Sequence, residues 1–212
     1  MVEIVQGSES WKKLRLGKLT ASRVADATDL LKSGKPSAKR LTYLGELIAE
    51  RLTGLVVEKY QNELMRWGTE QEPQARALYE FYCGVDVEQV AFVEHPTIAM
   101  AGASPDGLVG DDGLIEIKCP STSTHVDTLL AQAIPEEYVK QIDWQMACTG
   151  RLWCDFVSYD PRLPPHMAMF VCRRERDEAA ISDLEADARA FLVEIDMKVD
   201  ALNALYAQEA AA

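Results

Sequence analysis

The sequence predicts an α/β fold in which helices flank a central mixed β-sheet, with further helices at the N-terminus and a long helix at the C-terminus. Apolar residues recur at helical spacing over residues 37–52 and 69–82. Residues 152–159 and 167–173 are rich in Trp, Phe, Val and Met, which is typical of strands. Between these groups, residues 104–118 combine a turn signal with a short strand, as in a β-hairpin. Elements in this order predict a sheet covered by helices.

The N-terminal residues predict two short helices. Residues 11–17 are amphipathic and end at a glycine, with Ser8 or Ser10 available as the cap. Thr20-Ala21-Ser22 begins the second helix. Free backbone N–H groups at that helix start, together with Ser22 and Arg15, could bind a phosphate. An arginine in this setting is more often simply solvated, and a serine there is more often a plain helix cap.

A basic loop, residues 32–36, leads into the helix predicted for residues 37–52, which ends before Gly54. One apolar stripe along this helix is expected to face the core. The stripe consists of Leu41, Leu44, Ile48 and Leu52.

Residues 55–66 are predicted to be irregular, and residues 69–82 form the next predicted helix, which Gly84 ends. Glu70 and Glu72 fall in the first turn of that helix, where negative charge suits the helix dipole. This position is a sufficient structural reason for either glutamate. The residues expected to face inward are Ala75, Leu78, Tyr79 and Tyr82.

The hairpin carries the side chains with the clearest chemical meaning. Residues 85–93 and 97–102 alternate like strands and lead into it. Ser104-Pro105-Asp106-Gly107 is a turn sequence, and Gly113 precedes the strand Leu114-Ile115-Glu116-Ile117-Lys118. Successive side chains on a strand point to opposite faces, so Glu116 and Lys118 share one face. If the hairpin folds Asp106 onto that face, two carboxylates and an ammonium group converge.

Carboxylates are the hard oxygen ligands that Mg²⁺ requires, and a lysine beside them could orient or deprotonate an attacking water. The alternative is a plain surface turn followed by a strand edge that carries Glu and Lys for solubility. The apolar neighbours favour a metal site. Ile115, Ile117 and Ala99-Met100-Ala101 predict a strand pair in the core, where charges are costly unless they have a task.

After the hairpin, a Ser/Thr cluster at residues 121–124 ends the strand pattern. Helices are predicted for residues 124–132 and 136–149, with Pro135 between them and Gln141 in the middle of the second. The two strands at 152–159 and 167–173 follow, separated by a Pro-rich loop. From about residue 176 the sequence predicts a long acidic amphipathic helix.

The composition is that of a globular protein with one domain. The chain has 212 residues, of which 48% are hydrophobic and 26% charged. No apolar run approaches the length of a membrane span, and no signal-peptide pattern begins the chain, so we expect a cytoplasmic protein without membrane contact. Its five cysteines form no C-x-x-C pair, which predicts reduced thiols and argues against a structural zinc or an iron–sulfur cluster.

The charge is unevenly distributed. The net charge is −12, but residues 1–66 carry 12 Lys and Arg against 8 Asp and Glu, a net of +4. The rest of the chain carries 10 against 26, a net of −16. This asymmetry permits a basic DNA-facing surface beside an acidic outer one, although two merely solvated faces explain it as well.

The three histidines, His95, His125 and His166, lie apart in the sequence. They form neither a Ser-His-Asp order nor an H-E-x-x-H pattern, and no Gly-rich phosphate loop follows a predicted strand. Histidine-based hydrolase chemistry is therefore not expected.

The order of these motifs resembles the PD-(D/E)xK nuclease superfamily with its restriction endonuclease-like core, in the phage lambda exonuclease branch. The matching motifs keep the same order from residue 11 to residue 162. They are residues 11–17 with 20–22, Trp67-Gly68 with Glu72, Ser104-Pro105-Asp106-Gly107-Leu108, Leu114-Ile115-Glu116-Ile117-Lys118-Cys119-Pro120, Gln141, and Tyr159-Asp160-Pro161-Arg162.

The resemblance implies one nuclease domain over residues 1–212, a Mg²⁺-dependent 5′-to-3′ exonuclease acting on double-stranded DNA. Such an enzyme uses two Mg²⁺ ions per active site, with Mn²⁺ as a substitute, and leaves 3′ single-stranded overhangs. The resemblance also implies a closed homotrimeric ring that digests processively. It further implies a phage single-strand annealing protein as partner in recombination, and a phage or prophage origin with expression in the cytoplasm of a bacterial host.

The resemblance assigns catalytic roles to several residues. Asp106 and Glu116 hold the metals, with the Ile117 carbonyl and Glu72 as further ligands. Lys118 handles the attacking water. Gln141 supports that lysine and the water.

Other roles implied by the resemblance concern DNA. Arg15, Ser22 and Ser104 fall where the family captures the terminal 5′-phosphate. Met65 falls where an apolar wedge separates the end base pair, and Lys32 where a basic side chain follows the groove. The last two differ in side-chain identity from the family pattern.

Two other functions fit the same motifs. A restriction-type endonuclease would share Asp106, Glu116 and Lys118 but would not need a pocket for an end phosphate. A non-catalytic DNA-end-binding module would keep the fold for recruitment, although such a module has no reason to tolerate the charge cluster. Circular duplex DNA, which has no ends, separates the endonuclease from the exonuclease.

Overall fold

The computed structural model describes residues 4–57 and 62–207, which form helices around two β-sheets. The helices are α1 (Glu9–Arg15), α2 (Ala21–Ala27), α3 (Ala38–Thr53), α4 (Glu63–Cys83), α5 (Thr122–Ala131), α6 (Glu136–Thr149) and α7 (Glu178–Ala207), with a 3₁₀ turn at Pro165–Met167. The strands are β1 (Leu19–Thr20), β2 (Val87–Glu88), β3 (Val93–Glu94), β4 (Ala101–Ala103), β5 (Gly107–Val109), β6 (Gly113–Lys118), β7 (Trp153–Tyr159) and β8 (Met169–Glu175).

The larger sheet has the order β2-β5-β6-β7-β8 and is mixed, because β6 and β7 are parallel while its other pairs are antiparallel. This arrangement confirms the predicted α/β fold with a central mixed sheet. A smaller sheet has the order β1-β4-β3, with β1 parallel to β4. The two sheets are joined in the chain by the residues between β4 and β5, which include Ser104 and Asp106.

The division into two sheets corrects one expectation from the sequence. Residues 99–101 were expected to form a core strand pair with the strand of Ile115 and Ile117, but β4 belongs to the smaller sheet and β6 to the larger one. Met100 has a φ of 57° and is 38% exposed. A left-handed backbone at a turn ends strand pairing there, and the hydrophobic pattern does not reveal it.

Strand β6 lies in the middle of the larger sheet with a helix on each face. Ile115 and Ile117 pack in one buried cluster with Ala75 and Tyr79 of α4. Leu114, on the opposite face, packs in another with residues of α6. The period of two along β6 therefore points Glu116 toward α6, the side on which Gln141 lies.

Helix α1 has the predicted cap at Ser8, and α3 begins as predicted and is capped by Ser37. In α2 the N-cap residue is Thr20, whose side chain makes no capping hydrogen bond, and Ser22 lies inside the helix, so the interpretation of Ser22 as a cap was wrong. The Ser8 side chain accepts a hydrogen bond from the Trp11 N–H over 3.2 Å, and Ser37 accepts one from Arg40 over 3.2 Å. Helix α3 ends at Gly54, whose φ of 67° suits glycine. The Ser8 cap and the end at Gly54 are local features, which explains why the sequence identified them.

The predicted core stripe of α3 is partly wrong. Leu44 is buried and Ile48 packs against the core, but Leu41 and Leu52 are 52% and 43% exposed. Tyr43 and Leu47 face the core instead, and the Tyr43 ring stacks on Phe191 of α7 at 5.7 Å between centroids. The helix offers apolar residues on more than one side, so the positions of α2 and α7 decided which side was buried.

Helix α4 begins earlier than the sequence indicated. Residues 63–66 were predicted to be irregular, yet α4 starts at Glu63, where the Asn62 side chain accepts a hydrogen bond from Met65 N over 2.8 Å. The predicted irregular residues 58–61 lie outside the described part of the chain. Because the helix starts early, Glu70 and Glu72 lie inside it rather than in its first turn, and the helix dipole does not explain them.

The inward side of α4 is also only partly as expected. Ala75 and Tyr79 are buried and Leu78 packs against the same cluster, but Tyr82 is 63% exposed. Tyr82 lies in the last turn before Gly84, so the helix ends before the core covers this residue.

The five cysteines are free thiols, as the composition indicated. Of the helices within residues 4–57 and 62–207, none combines the length and apolar character that crossing a membrane demands.

Candidate active site

Asp106 lies at the junction of the two sheets, where the chain leaves β4 and enters β5. Antiparallel pairing sets Gly107 opposite Ile115, which brings Asp106 beside Glu116. The Asp106 carboxylate oxygen Oδ2 accepts a hydrogen bond from the Ile117 N–H over 2.7 Å. The hairpin thus folds Asp106 toward the face of β6 that carries Glu116 and Lys118.

Glu116 is only 1% exposed and is held by three donors. Gln141 Nε2 and Lys118 Nζ donate to its Oε1, each over 2.5 Å. Gln145 Nε2 donates to its Oε2 over 2.6 Å. Burial of a carboxylate is costly, and charge-assisted hydrogen bonds offset that cost. A carboxylate has about four lone-pair sites, so Glu116 retains acceptor capacity for a cation.

Lys118 ends β6 and stays close to both acids. Its Nζ lies 5.0 Å from the centroid of the Tyr138 ring. Burial lowers the pKa of Lys118, but the Glu116 and Asp106 carboxylates outweigh burial and raise this pKa above its ordinary value. Lys118 is therefore a protonated donor in the absence of a bound cation.

Glu72 adds a third carboxylate from α4. Its Oε1 accepts a hydrogen bond from Arg76 Nη2 over 2.5 Å. Burial raises the pKa of Glu72, and the nearby Glu116 adds to the rise against the opposing effect of Arg76. Burial, then Glu116 and Glu72, raise the pKa of Asp106 well above its ordinary value. The acids repel one another more than Lys118 compensates, which favours the binding of a cation.

The donor set fits a hard divalent cation. Asp106 and Glu116 supply carboxylates, Glu72 lies within electrostatic reach, and the Ile117 carbonyl belongs to the same strand. Among the described residues no three His, Cys, Asp or Glu side chains already form a closed metal cage. Mg²⁺ does not need one, since it keeps several waters and is commonly bound through one or two carboxylates.

Gln145 is a contact of Glu116 that the motifs did not identify. It follows Gln141 by four residues, so both amides lie on one face of α6. Helical spacing in the sequence was the signal that could have found it. Gln145 is completely buried, and its Oε1 has no hydrogen-bond partner among the described residues.

A second polar cluster joins α1 to the residues before Asp106. Arg15 Nη1 donates to Ser104 Oγ over 3.0 Å, and Trp11 Nε1 donates to the same oxygen over 3.0 Å. Ser104 in turn donates to the Ala91 carbonyl over 2.7 Å. The Arg15 guanidinium lies 4.1 Å from the centroid of the Trp11 ring. The sequence motifs did not assign Trp11 a separate role, but here it orients both partners.

Arg15 remains a cation in this setting. Burial lowers the pKa of Arg15 to about 10, with Tyr43 and Glu50 acting in the opposite direction. At neutral pH the guanidinium is still protonated, so it can pair with an anion.

Ser22 lies at the start of α2 and is exposed. Parallel pairing sets Thr20 of β1 beside Gly102 of β4, so Ser22 and Ser104 follow at the same end of this strand pair. The structure thus brings Arg15 and Ser104 into contact and places Ser22 at the same end of the β1–β4 strand pair.

Lys32 and Met65 lie elsewhere in the chain. Lys32 is exposed in a turn that Leu31 N closes by donating to the Lys35 carbonyl over 2.8 Å. Met65 is 50% exposed in the first turn of α4, and not in an irregular segment as expected. Their contacts with DNA stay predictions.

Two further matching motifs meet near the end of β6. Arg162 Nε donates to Asp160 Oδ1 over 2.7 Å, and the guanidinium lies 4.5 Å from the centroid of the Trp67 ring. Arg162 Nη2 also donates to the Pro120 carbonyl over 3.3 Å. These contacts support the chain where it leaves Lys118.

The chain matches a known family and several solved structures. Residues 10–152 match the model of the YqaJ-like viral recombinase domain. The crystal structure of LHK-Exo in complex with dAMP is 50% identical, with a TM-score of 0.89 over 95% of this chain and 99% of that chain. The alkaline exonuclease LHK-Exo from Laribacter hongkongensis is 51% identical, with a TM-score of 0.88 over the same shares.

A phage related exonuclease from Haemophilus somnus 129PT is 17% identical, with a TM-score of 0.71 over 87% of this chain and 96% of that chain. At that identity the likeness shows the fold alone. No curated protein matches the sequence.

Proposed function

Since the chain belongs to the family of YqaJ-like viral recombinase domains, we propose that it is a metal-dependent exonuclease that digests the 5′-ended strand of linear double-stranded DNA. Its nuclease character follows from the family and from 50% identity to an alkaline exonuclease over nearly the whole chain. The observation that carries the proposal of metal-dependent hydrolysis is the convergence of Asp106, Glu116 and Lys118 at the β5–β6 hairpin.

Hydrolysis of a phosphodiester breaks the bond between phosphorus and the 3′-oxygen of the terminal nucleotide. Asp106 and Glu116 would hold Mg²⁺, or Mn²⁺ in its place, with Glu72 and the Ile117 carbonyl. Two bound ions would supply Lewis-acid stabilisation of the charge that develops on the phosphate. The Lys118 ammonium donates from the same face of β6 and would orient the attacking water.

Gln141 donates to the same Glu116 oxygen as Lys118 does, so the Gln141 amide lies beside that lysine. There it would support Lys118 and the attacking water. Water attacks phosphorus, the 3′-oxygen leaves, and the remaining strand again ends in a 5′-phosphate. Each cycle thus recreates the same kind of substrate end.

The cluster of Arg15 and Ser104 supports a pocket for this 5′-phosphate. Arg15 offers a planar fork suited to phosphate oxygens. Ser104 lies two residues before Asp106, so an anion held there is close to the carboxylates. Ser22, at the same end of the β1–β4 strand pair, would add a hydroxyl donor. The structure of LHK-Exo with dAMP, a nucleoside monophosphate, supports a ligand of this class for the related chain.

We extend the proposal to the biological setting. The chain would act as a closed homotrimer around the duplex and would leave 3′ overhangs for a phage single-strand annealing protein. It would work in the cytoplasm of a bacterial host. Lys32 and Met65 would contact the groove and the end base pair.

The test uses linear duplex DNA with a ³²P-labelled 5′-phosphate and a fluorophore at the 3′ end of the same strand, incubated with Mg²⁺. We expect early release of ³²P as mononucleotide, while the fluorescent strand shortens gradually. Early release of the fluorophore would contradict the polarity.

Covalently closed circular duplex is the matched control substrate and should stay intact. If the circle is nicked or linearised, the restriction-type endonuclease is correct instead. Asp106→Asn should bind the linear duplex without cutting it. If the wild type binds DNA ends but cuts neither substrate at any Mg²⁺ or Mn²⁺ concentration, the non-catalytic end-binding module is correct.

A further inference from the structure

The Gln145 side chain is a buried amide that the packing of the core does not explain. It lies on α6 with none of its surface exposed, and Oε1 has no hydrogen-bond partner among the described residues. A buried polar atom without a partner destabilises a fold. An apolar residue would fill the same space without that penalty. The other end of the amide, Nε2, donates to Glu116 Oε2 over 2.6 Å.

The donors on Glu116 are divided between its two oxygens. Gln141 and Lys118 both donate to Oε1, each over 2.5 Å. Among the described residues, Gln145 is the donor on Oε2. The two donors on Oε1 restrain the carboxylate from one side, and among the described residues Gln145 supplies the donor that restrains it from the side of Oε2. A donor on the second oxygen fixes the plane of the group.

We propose that Gln145 is a positioning residue, whose amide fixes the plane of the Glu116 carboxylate so that its remaining lone pairs face a divalent cation. Hydrogen-bonding partners of this kind orient the ligands of metal sites in general. The inference rests on the proposed metal-dependent nuclease, and it says how this chain orients the Glu116 carboxylate for Mg²⁺ or Mn²⁺.

The experiment removes the donor while keeping the volume, with Gln145→Met and Gln145→Leu. Mn²⁺ is titrated into DNA-free protein, and electron paramagnetic resonance measures the unbound ion. We expect affinity about ten- to a hundredfold weaker in both variants, the usual cost of losing such a partner. In nuclease assays the Mg²⁺ concentration for half-maximal rate should rise similarly, while the KM for DNA stays at the wild-type value.

Thr149→Val is the matched control. Thr149 Oγ1 donates to the backbone carbonyl of Gln145 over 2.8 Å, on the same helix, and Thr149 has no assigned role at the carboxylates. Its Mn²⁺ affinity should equal that of the wild type. Thermal unfolding of each variant sets the temperature at which the titrations are compared.

A measurement on the wild-type protein does not depend on whether the variants fold. In ¹⁵N-labelled protein, Mg²⁺ should shift the side-chain amide resonance of Gln145. An unmoved resonance at saturating Mg²⁺, or wild-type Mn²⁺ affinity in both folded variants, overturns the inference while the nuclease proposal stands. A wild-type protein that takes up no Mn²⁺ overturns the metal-dependent function itself, and the inference with it.

Discussion

At the scale of single residues, Glu116 illustrates how a charge is maintained inside this protein. A buried carboxylate loses its hydration, and the hydrogen bonds from Gln141, Gln145 and Lys118 offset that cost. Asp106 and Glu72 are further carboxylates nearby. Burial and the repulsion between the acids raise the pKa of both groups. Such an arrangement is poor for stability alone, and it indicates a group of acids arranged for a cation.

Lys118→Ala should lower the rate of hydrolysis by about 10²–10⁴-fold, the range for loss of a positioned proton donor or acceptor, with DNA affinity largely kept. The reason is that Lys118 is the cation on the same face as Glu116. Single-turnover cleavage and a filter-binding assay measure the two quantities. Lys198→Ala, which removes an exposed lysine of α7, is the control for the loss of one positive charge. A near-normal rate for Lys118→Ala would refute the assigned role.

Arg15→Ala should erase most of the preference for a 5′-phosphate over a 5′-hydroxyl end. A hydrogen bond to a charged group is worth about 1.5–3 kcal/mol, or roughly ten- to a hundredfold in rate. A two-by-two comparison measures initial rates of wild type and variant on both ends. Lys13→Ala, on the same helix, should keep the wild-type preference. Equal wild-type rates on the two ends would leave Arg15 as an ordinary basic residue.

At the scale of elements, the loop between β3 and β4 is held against α6 and α7 by His95. Its Nδ1 accepts hydrogen bonds from the Thr97 and Ile98 N–H groups over 3.3 and 3.2 Å. Its Nε2 lies 3.2 Å from a Glu185 carboxylate oxygen on α7. Because Nδ1 is an acceptor, the neutral ring is the form that suits this loop.

Protonation of His95 should weaken this attachment in acid. Burial lowers the pKa of His95 below 6.5, with Glu185 acting against the shift and Arg189 adding to it. A depressed folded-state pKa contributes stability that is complete above the unfolded value of about 6.5 and is lost as the pH falls from there through the folded value. The melting temperature should therefore fall with pH below about 6.5, by about 2–4 °C for each kcal/mol lost.

His95→Asn tests this origin, because asparagine keeps a side-chain acceptor for the loop but does not titrate. The variant should start with a lower melting temperature, since the ring contact with Trp144 at 5.1 Å between centroids is lost. Its decline between pH 6.5 and 5 should be smaller than that of the wild type. Parallel declines in differential scanning calorimetry would assign the acid sensitivity to other groups.

At the scale of the whole molecule, the split of charge between residues 1–66 and the rest permits a basic surface that faces DNA inside a ring. We predict a homotrimer in solution, with a mass three times the 23.6 kDa of the chain. Closed cyclic assemblies are a common solution for identical subunits, and a ring retains its DNA by topology. Light scattering behind size exclusion, at low and high salt, measures the mass. A monomer at micromolar concentration would exclude the ring.

What the sequence determined by itself is local. The cap at Ser8, the helix end at Gly54, and the shared face of Glu116 and Lys118 follow from neighbours within a few positions. The β5–β6 hairpin is equally local, so the approach of Asp106 to Glu116 could also be anticipated.

Only the tertiary structure decided the remaining features, because they depend on which distant elements pack together. Helical spacing made Leu41 and Leu52 as suitable for the core as Leu47, and the packing of α3 against α2 and α7 determined which of them were buried. The hydrogen bonds of Trp11 to Ser104 and of Gln145 to Glu116 join residues 93 and 29 positions apart. Period and propensity describe one segment at a time, whereas such contacts arise when segments are packed against one another.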